Sequence, residues 1–374
     1  MKACDGFEEA TSYLADKWKL SDGMKGATLN AIGSSMPELL ITAIFLFMFA
    51  DTTGFAGGIG TTAGSAVFNT AVIPAAVILV MLWKSTSGSV NIPSRVIWRD
   101  GLTLIAAEFF LIVFMGDTLN WYHGAMLMLI YISYVGVMYT RHKITIKNSS
   151  TENIIDVNEG DDEDDNDEPQ ENENNSFLKS FLAADWKTAF WGESEPSSVN
   201  QAWGILGAST LAISLACILL VHGTESLAHI MGIPGYFTAV ILAAAASSLP
   251  DTILSMKDAK NGEGEDALSN ALGSNIFDIC FALGAPLFVY TIMYGPIVIP
   301  PEILLHITEL RILLLILTII AFLIFISGKL TKIKAYGLIS IYVLFTAYIV
   351  GRGMEASWAE GISSKLHLLQ SFIQ

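Results

Sequence analysis

Four carboxylates, Glu38, Glu108, Asp251 and Asp278, lie inside long apolar runs of this 374-residue chain. Each costs about 2.5 to 3.5 kcal/mol at the centre of a membrane helix, and no Lys or Arg lies at comparable depth to pair with them. Protons could neutralise them. The oxygens grouped around three of the four point instead to metal cations, which carboxylates, amide carbonyls and hydroxyls hold. Glu38 follows Ser34 and Ser35, Asp251 follows Ser247 and Ser248, and Asp278 follows Ser274. Each acid is thus three or four residues from a serine, one helical turn away on the same face. Pro37 and Pro250 add carbonyls, because a proline has no amide hydrogen for the residue four places earlier. The oxygens of Gly33 and Ala246 should therefore be freed inside the bilayer, where free carbonyls persist only if they line a cavity or a site. Taken singly, paired serines bond the carbonyl one turn back and a proline kink is only a kink. Both features with an acid, present twice, outweigh that reading. Glu108 has no serine within a turn, which leaves open a hydrogen-bonded structural acid or an accessory site.

The elements that must position these groups are membrane helices. The chain is 52% hydrophobic and only 15% charged, against about 25% charged for soluble domains. Continuous apolar runs long enough to cross a bilayer fall at about 26 to 50, 57 to 83, 101 to 118, 122 to 140, 201 to 221, 235 to 256, 267 to 293, 309 to 327 and 335 to 351. These nine runs lack the alternation of a strand barrel, so an all-α membrane protein is expected. Lysines and arginines crowd alternate connections, at 17 to 25, 84 to 99, 141 to 187, 257 to 260 and 329 to 334, and avoid those between. The positive-inside rule then puts the 141–200 loop in the cytoplasm. The net charge of −16 comes largely from that loop, whose DVNEGDDEDDNDEPQENENN is too poor in apolar side chains to order. A calcium-binding helix-loop-helix is not a match, since the required glycine and final glutamate are missing. An acidic chain of this build is not a nucleic-acid binder; its partners are the bilayer and ions. The three cysteines form no disulfide framework, the six histidines form no ligand pair, and residues 1 to 20 contain no secretory signal core. No cofactor is expected.

An internal repeat flanks the acidic loop. Residues 26–44 align without gaps on 239–257, setting Ser34-Ser35-Met36-Pro37-Glu38 against Ser247-Ser248-Leu249-Pro250-Asp251, and Gly64-Ser65-Ala66-Val67-Phe68-Asn69 against Gly273-Ser274-Asn275-Ile276-Phe277-Asp278. With the charge-derived topology the two copies run in opposite directions. Inverted repeats with interrupted helices are an architecture of secondary transporters, whose sites lie near the midplane. The expected organisation is a first repeat at 1–140, an acidic disordered linker at 141–200 and a second repeat at 201–374, about five helices to a repeat.

At these motifs the chain resembles the cation/calcium exchanger superfamily, and within it most resembles the potassium-dependent sodium/calcium exchanger branch. That resemblance rests on the doubled motif, on the aspartates at 251 and 278, and on Trp98-Arg99-Asp100 and GDTLNWYHG outside the repeats. It implies Glu38 and Asp251 as central calcium ligands, with Ser34, Ser35, Ser247 and Ser248 shared between calcium and sodium sites. It also implies that Ser65, Asn69 and Ser274 complete the sodium shell with the carbonyls of Ala31 and Ala244, and that Asp278 marks potassium dependence. Departures are a first helix matched only in its last part, by residues 1–18, and Ala246-Ser247 where the family commonly has Gly-Thr. The Gly-Asn-x-x-Glu of proton-coupled relatives is not present.

The implied function is an antiporter that spends the sodium gradient to expel calcium, with potassium as a further candidate ion and the plasma membrane as the expected location. Proton-coupled antiport of calcium or another divalent cation is the competing reading. An intramembrane aspartyl protease built on Asp251 and Asp278 leaves Glu38 and the repeat unexplained, so no enzyme activity is expected.

Overall fold

Apolar runs with no water to bond their backbones must satisfy every amide internally, and helices do so within one segment. The computed structural model describes residues 2–17, 31–48, 54–84, 88–91, 97–114, 116–149, 180, 185–192, 195–262 and 264–373. In chain order these form α1 (Lys2–Lys17), α2 (Ala31–Ser34), α3 (Met36–Met48), α4 (Gly54–Lys84), β1 (Ser89–Asn91), a π-helical turn Ile97–Gly101, α5 (Leu102–Phe114), β2 (Thr118–Leu119) and α6 (Trp121–Ser149). The short α7 (Trp186–Trp191) follows, then α8 (Val199–Met231), α9 (Gly235–Thr238), a π-helical turn Ala239–Ala243, α10 (Ala244–Ser247) and α11 (Leu249–Asn261). The chain ends with α12 (Gly264–Phe277), a π-helical turn Asp278–Ala282, α13 (Gly284–Tyr294), β3 (Ile297–Val298), α14 (Pro301–Phe325), β4 (Lys329–Thr331), α15 (Lys332–Gly353) and α16 (Ser357–Ile373).

Among the described residues, seven helical stretches are long and apolar enough to cross a membrane. The chain is a multi-pass integral membrane protein. Two of the nine runs read from sequence are shorter than that: the first is represented by α2 and the 13-residue α3, and the third by the 13-residue α5. The acidic stretch at 156–175 lies outside the described residues.

Burial separates inner from outer helices. The span in α4 is 67% buried and that in α12–α13 61%, whereas those in α6 and α15 are 28% buried and α8 33%. The two inner spans carry the two Gly-Ser motifs, so the motifs sit at the centre of the bundle. Close approach there depends on small residues. A Cβ on Gly64 would stand 2.0 Å from the Val240 carbonyl oxygen, so only glycine lets α4 lie against the turn at 239–243.

Two short antiparallel strand pairs depart from the all-helical expectation: β1 with β4, in register Val90 to Leu330, and β2 with β3, in register Thr118 to Val298. Each joins a connection of the first half to one of the second. β1 precedes α5 and β2 follows it, so the pairs cap opposite ends of that helix, and α14 lies between β3 and β4 in the same manner. Two- and three-residue strands pair exposed backbone at helix ends and carry too little pattern to be read from sequence.

The buried acid of the Trp98-Arg99-Asp100 motif braces the start of α5. Asp100 accepts from Arg99 Nε (2.6 Å) and Nη2 (2.7 Å), from Tyr134 Oη of α6 (3.0 Å) and from Ser269 Oγ of α12 (3.2 Å). One carboxylate thereby ties three helices.

Candidate ion-binding site

Both proline motifs interrupt their helices rather than merely bending them. Helix α2 stops at Ser34 and α3 starts at Met36, with Ser35 between them in a turn; α10 stops at Ser247 and α11 starts at Leu249, with Ser248 at φ −80° and ψ 0°. Pro37 and Pro250 are each the second residue of the new helix, where a missing amide hydrogen costs nothing. Glu38 and Asp251 therefore stand in the first turns of α3 and α11, at helix N-termini whose dipoles favour negative charge. The C-terminal ends of α2 and α10 turn their carbonyls toward the same breaks, a polarity that favours cations.

Ser34, Ser35, Glu38, Ser65, Asn69, Ser247, Ser248, Asp251, Ser274 and Asp278 are all buried. The structure brings them into one cluster. Ser65 Oγ lies 3.2 Å from Glu38 Oε1, 3.1 Å from Asp278 Oδ2 and 2.8 Å from Ser248 Oγ. Ser274 Oγ donates to Asp251 Oδ1 at 2.9 Å, the counterpart of Ser65 on Glu38. Asn69 Nδ2 reaches Ser65 Oγ and Asp251 Oδ2, each at 3.4 Å. Across the halves, Ser34 lies beside Asp251 and Ser247 beside Glu38.

This cluster is short of protons. Ser65 has one hydroxyl hydrogen and three oxygens around it, and the acceptor oxygens Glu38 Oε2, Asn69 Oδ1 and Asp278 Oδ1 have no hydrogen-bond partner among the described residues. Buried acceptors of that kind cost about 1 to 3 kcal/mol each, and more when charged. A hard cation coordinated by oxygen relieves all of them at once.

Two expected carbonyl donors stand differently. The Ala244 carbonyl accepts from Ser248 N–H and from Ser247 Oγ, both at 3.1 Å, so those bonds would have to be shared with an ion. Ala31 is the first residue of α2, one turn before Ser34. Glu108, also buried, accepts from Thr318 Oγ1 at 2.7 Å, while among the described residues its Oε2 has no partner and it makes no hydrogen bond to the cluster.

Sequence reading passed over two groups near the cluster. Asn275, next to Ser274, donates to the Ala66 carbonyl (3.1 Å) and Thr70 Oγ1 (2.7 Å), pinning α12 to α4 beside Ser65. Thr42 and Thr62 share a hydrogen bond of 3.2 Å between α3 and α4. Both were legible only as polar residues within apolar runs. Asp278 also opens the π-helical turn, whose wide loop is closed by Leu283 N–H on the Asp278 carbonyl at 3.0 Å; π-helical turns recur at functional sites.

Two broken helices that aim carboxylates and hydroxyls into the dry centre of an apolar bundle define a membrane transporter of ions. The particular family follows from comparison. Residues 1–140 and 201–351 match the family model described as sodium/calcium exchanger protein, and the chain belongs to that family. Human sodium/potassium/calcium exchanger 5 is 28% identical over 347 residues, a match covering 77% of this chain and 67% of that protein. An uncharacterized membrane protein of Methanocaldococcus jannaschii is 23% identical, covering 94% and 93%. Among solved structures, the H+/Ca2+ exchanger CAX superposes with a TM-score of 0.62 at 12% identity, over 99% of this chain and 88% of that one. The sodium-calcium exchanger NCX_Mj superposes with a TM-score of 0.54 at 21% identity, over 92% and 93%. At such identities the structural likeness concerns the fold. The family is one of ion exchangers, not of enzymes.

Proposed function

We propose that this chain is a secondary active antiporter that exchanges sodium for calcium, with potassium co-transported, by alternating access at the cluster around Glu38 and Asp251. One observation carries this reading: three carboxylates, two of them from the broken helices, and a surplus of unpartnered oxygens converge in the buried centre. Glu38 and Asp251 hold calcium, with Ser34, Ser35, Ser247 and Ser248 turning between calcium and sodium. Ser65, Asn69, Ser274 and the carbonyls of Ala31 and Ala244 complete the sodium positions, and Asp278 supplies the charge that potassium needs. Family membership and likeness to a sodium/potassium/calcium exchanger support the choice of ions.

The reading includes two inverted repeats, 1–140 and 201–374, joined by a cytoplasmic linker at 141–200. Support comes from the equivalent breaks at Ser35 and Ser248, from Ser65 on Glu38 matched by Ser274 on Asp251, and from the reciprocal strand pairs at the two ends of α5. Seven long spans together with α3 and α5 account for nine crossings. The alternation of basic residues orients them, and the plasma membrane is the proposed location.

The test is calcium uptake into proteoliposomes loaded with sodium, with and without external potassium. Uptake that needs the outward sodium gradient, and that external potassium increases, is the expected result. Uptake driven equally well by a proton gradient without sodium would replace this reading with proton-coupled antiport.

A further inference from the structure

A second buried carboxylate, away from the ion cluster, gathers more partners than any acid of that cluster. Glu309, two turns into α14, accepts from Arg352 Nε at 3.0 Å and Nη2 at 3.1 Å, from Tyr348 Oη at 3.0 Å, and from Ser363 Oγ. His367 Nε2 lies 2.9 Å from its Oε1. Arg352 Nη2 continues to His306 Nδ1 at 3.4 Å. The network thus joins α14, α15 and α16, and two of the histidines that the sequence scatters meet on it.

Its fourth contact is the helix of the ion site. Tyr236 Oη of α9 donates to the His306 carbonyl at 3.1 Å, and the Phe237 and Tyr236 rings lie 5.1 and 6.2 Å from the His306 ring. From α9 the chain runs through the turn at 239–243 directly into α10 and the break at Ser248. Tyr236 and Val240 also press on Gly60, five residues before Ser65. Glu309 therefore clamps the start of the segment that ends in Ser247, Ser248 and Asp251. The clamp is at the end of the bundle opposite the linker, since α8 begins beside the linker at Val199 and crosses to Met231 before α9 starts.

We propose that Glu309 is a positioning residue for transport: the His306–Arg352–Glu309–His367 network holds α9 against α14, and protonation of His367 from the face opposite the linker tightens that hold and slows exchange. The inference rests on the alternating-access reading, in which the helix of Ser248 and Asp251 must move relative to its neighbours. The groups facing Glu309 are Arg352 and Tyr348 from α15, Ser363 and His367 from α16, His306 from its own helix, and Tyr236 from α9, with the buried Arg311 next to Tyr236. Glu355, Glu360 and Lys365 are on the exposed face of the C-terminal segment. Arg352 is already paired to the carboxylate and its Nη2 needs His306 Nδ1 as an acceptor, so the group left to add charge beside Glu309 is the His367 imidazole, the side-chain type that serves as a proton switch. A positive His367 adds a charge-assisted bond to Glu309, which is stronger than its neutral form. His367 is open to water, with its side chain 27% exposed.

The experiment is sodium-driven calcium flux in oriented proteoliposomes, with pH varied between about 5.5 and 8, the interval in which imidazoles ordinarily titrate, on one face at a time. Acidifying the face opposite the linker should slow flux about threefold or more in the unmodified protein, whereas acidifying the linker face over the same interval should not reproduce the profile. The double variant His306→Gln, His367→Gln keeps Arg352, Tyr348 and Ser363 on Glu309 and should transport with a flattened profile. Glu309→Asp should keep the profile with altered amplitude. An unchanged profile in the double variant overturns the proposal, as does a flat profile in the unmodified protein. Absence of any sodium-driven flux in the unmodified protein would instead be a failure of the exchanger reading, so the two failures are distinguishable.

Discussion

Ser65 Oγ and Ser248 Oγ lie 2.8 Å apart, although 183 residues separate them in the chain. One comes from the straight helix of the first half and the other from the helix break of the second. Their contact joins the oxygens of Glu38 and Asp278 to the turn that precedes Asp251, so the three acids belong to one cluster. Ser65→Ala removes the hydroxyl at the junction while leaving every charge. We expect a folded protein with weakened sodium competition against calcium, by about tenfold for one lost oxygen ligand, read from the sodium concentration that halves calcium uptake. Unchanged competition would take Ser65 out of the sodium positions.

The acids should behave more severely. Glu38→Gln and Asp251→Asn each preserve shape and remove one charge that a divalent ion needs near the midplane. Calcium flux should fall by about a hundredfold or more in each, with normal expression and an unshifted elution volume. Near-normal flux in either variant would exclude that residue from calcium binding. Glu108→Gln is the contrasting case, because Glu108 bonds Thr318 and not the cluster; flux within about threefold of the unmodified protein is expected for a hydrogen-bonded structural acid.

Packing at the centre gives a test of the fold. Gly64→Ala would drive a methyl into the Val240 carbonyl, and overpacking of this kind destabilises by about 1 to 3 kcal/mol. Thermal unfolding in detergent should occur at a lower temperature than for Gly207→Ala, where a Cβ meets nothing within 4 Å. Equal unfolding temperatures would mean that α4 does not approach the turn at 239–243 so closely.

What could be read from sequence was local. Ser34-Ser35 before Pro37-Glu38 is a five-residue pattern whose chemistry is complete within two helical turns, and its copy at Ser247–Asp251 multiplied its weight. That the helices break at Ser35 and Ser248, rather than kink, depends on the neighbours that fill the gap, and sequence spacing does not contain them. Glu309 was illegible for a similar reason: its partners Arg352, Ser363 and His367 lie 43 to 58 residues farther along the chain, so an acid near the start of an apolar run resembled an ordinary helix-end charge. Arg311, in the same apolar run, belongs to none of the basic connections; it is buried and donates to the carbonyls of Leu111 (3.2 Å) and Ile307 (3.4 Å). The π-helical turns at 97–101, 239–243 and 278–282 add one residue to a helical turn without any change of composition.

Topology is open to direct measurement. With Cys4, Cys217 and Cys280 buried, a membrane-impermeant thiol reagent should report single introduced cysteines. Asp165→Cys should react only from the cytoplasm and Ser226→Cys only from the opposite side, because basic residues crowd one set of connections and avoid the other. Reaction of both from the same side would remove the inverted-repeat arrangement.

Asp278 offers the test of the proposed potassium coupling. It lies one turn after Ser274, where the first half has Asn69 after Ser65, and its Oδ2 is 3.1 Å from Ser65 Oγ while its Oδ1 has no hydrogen-bond partner among the described residues. With Glu38 and Asp251 it brings the cluster to three carboxylates. If all three are ionised, bound calcium leaves one negative charge uncompensated in a medium of low dielectric, and a monovalent cation of suitable size can take the remaining oxygens. Asp278→Asn leaves two carboxylates, which calcium alone balances. The variant should still move calcium in exchange for sodium, and its flux should no longer respond to potassium, whereas the unmodified protein should respond about fivefold or more if a charge-matched ion must complete the load. The measurement is calcium flux against external potassium for both forms, with sodium and voltage held fixed. A flat response in the unmodified protein would mean that Asp278 is neutralised by a proton and would leave plain sodium/calcium exchange, because a protonated acid adds an oxygen to the site but no charge for potassium to balance.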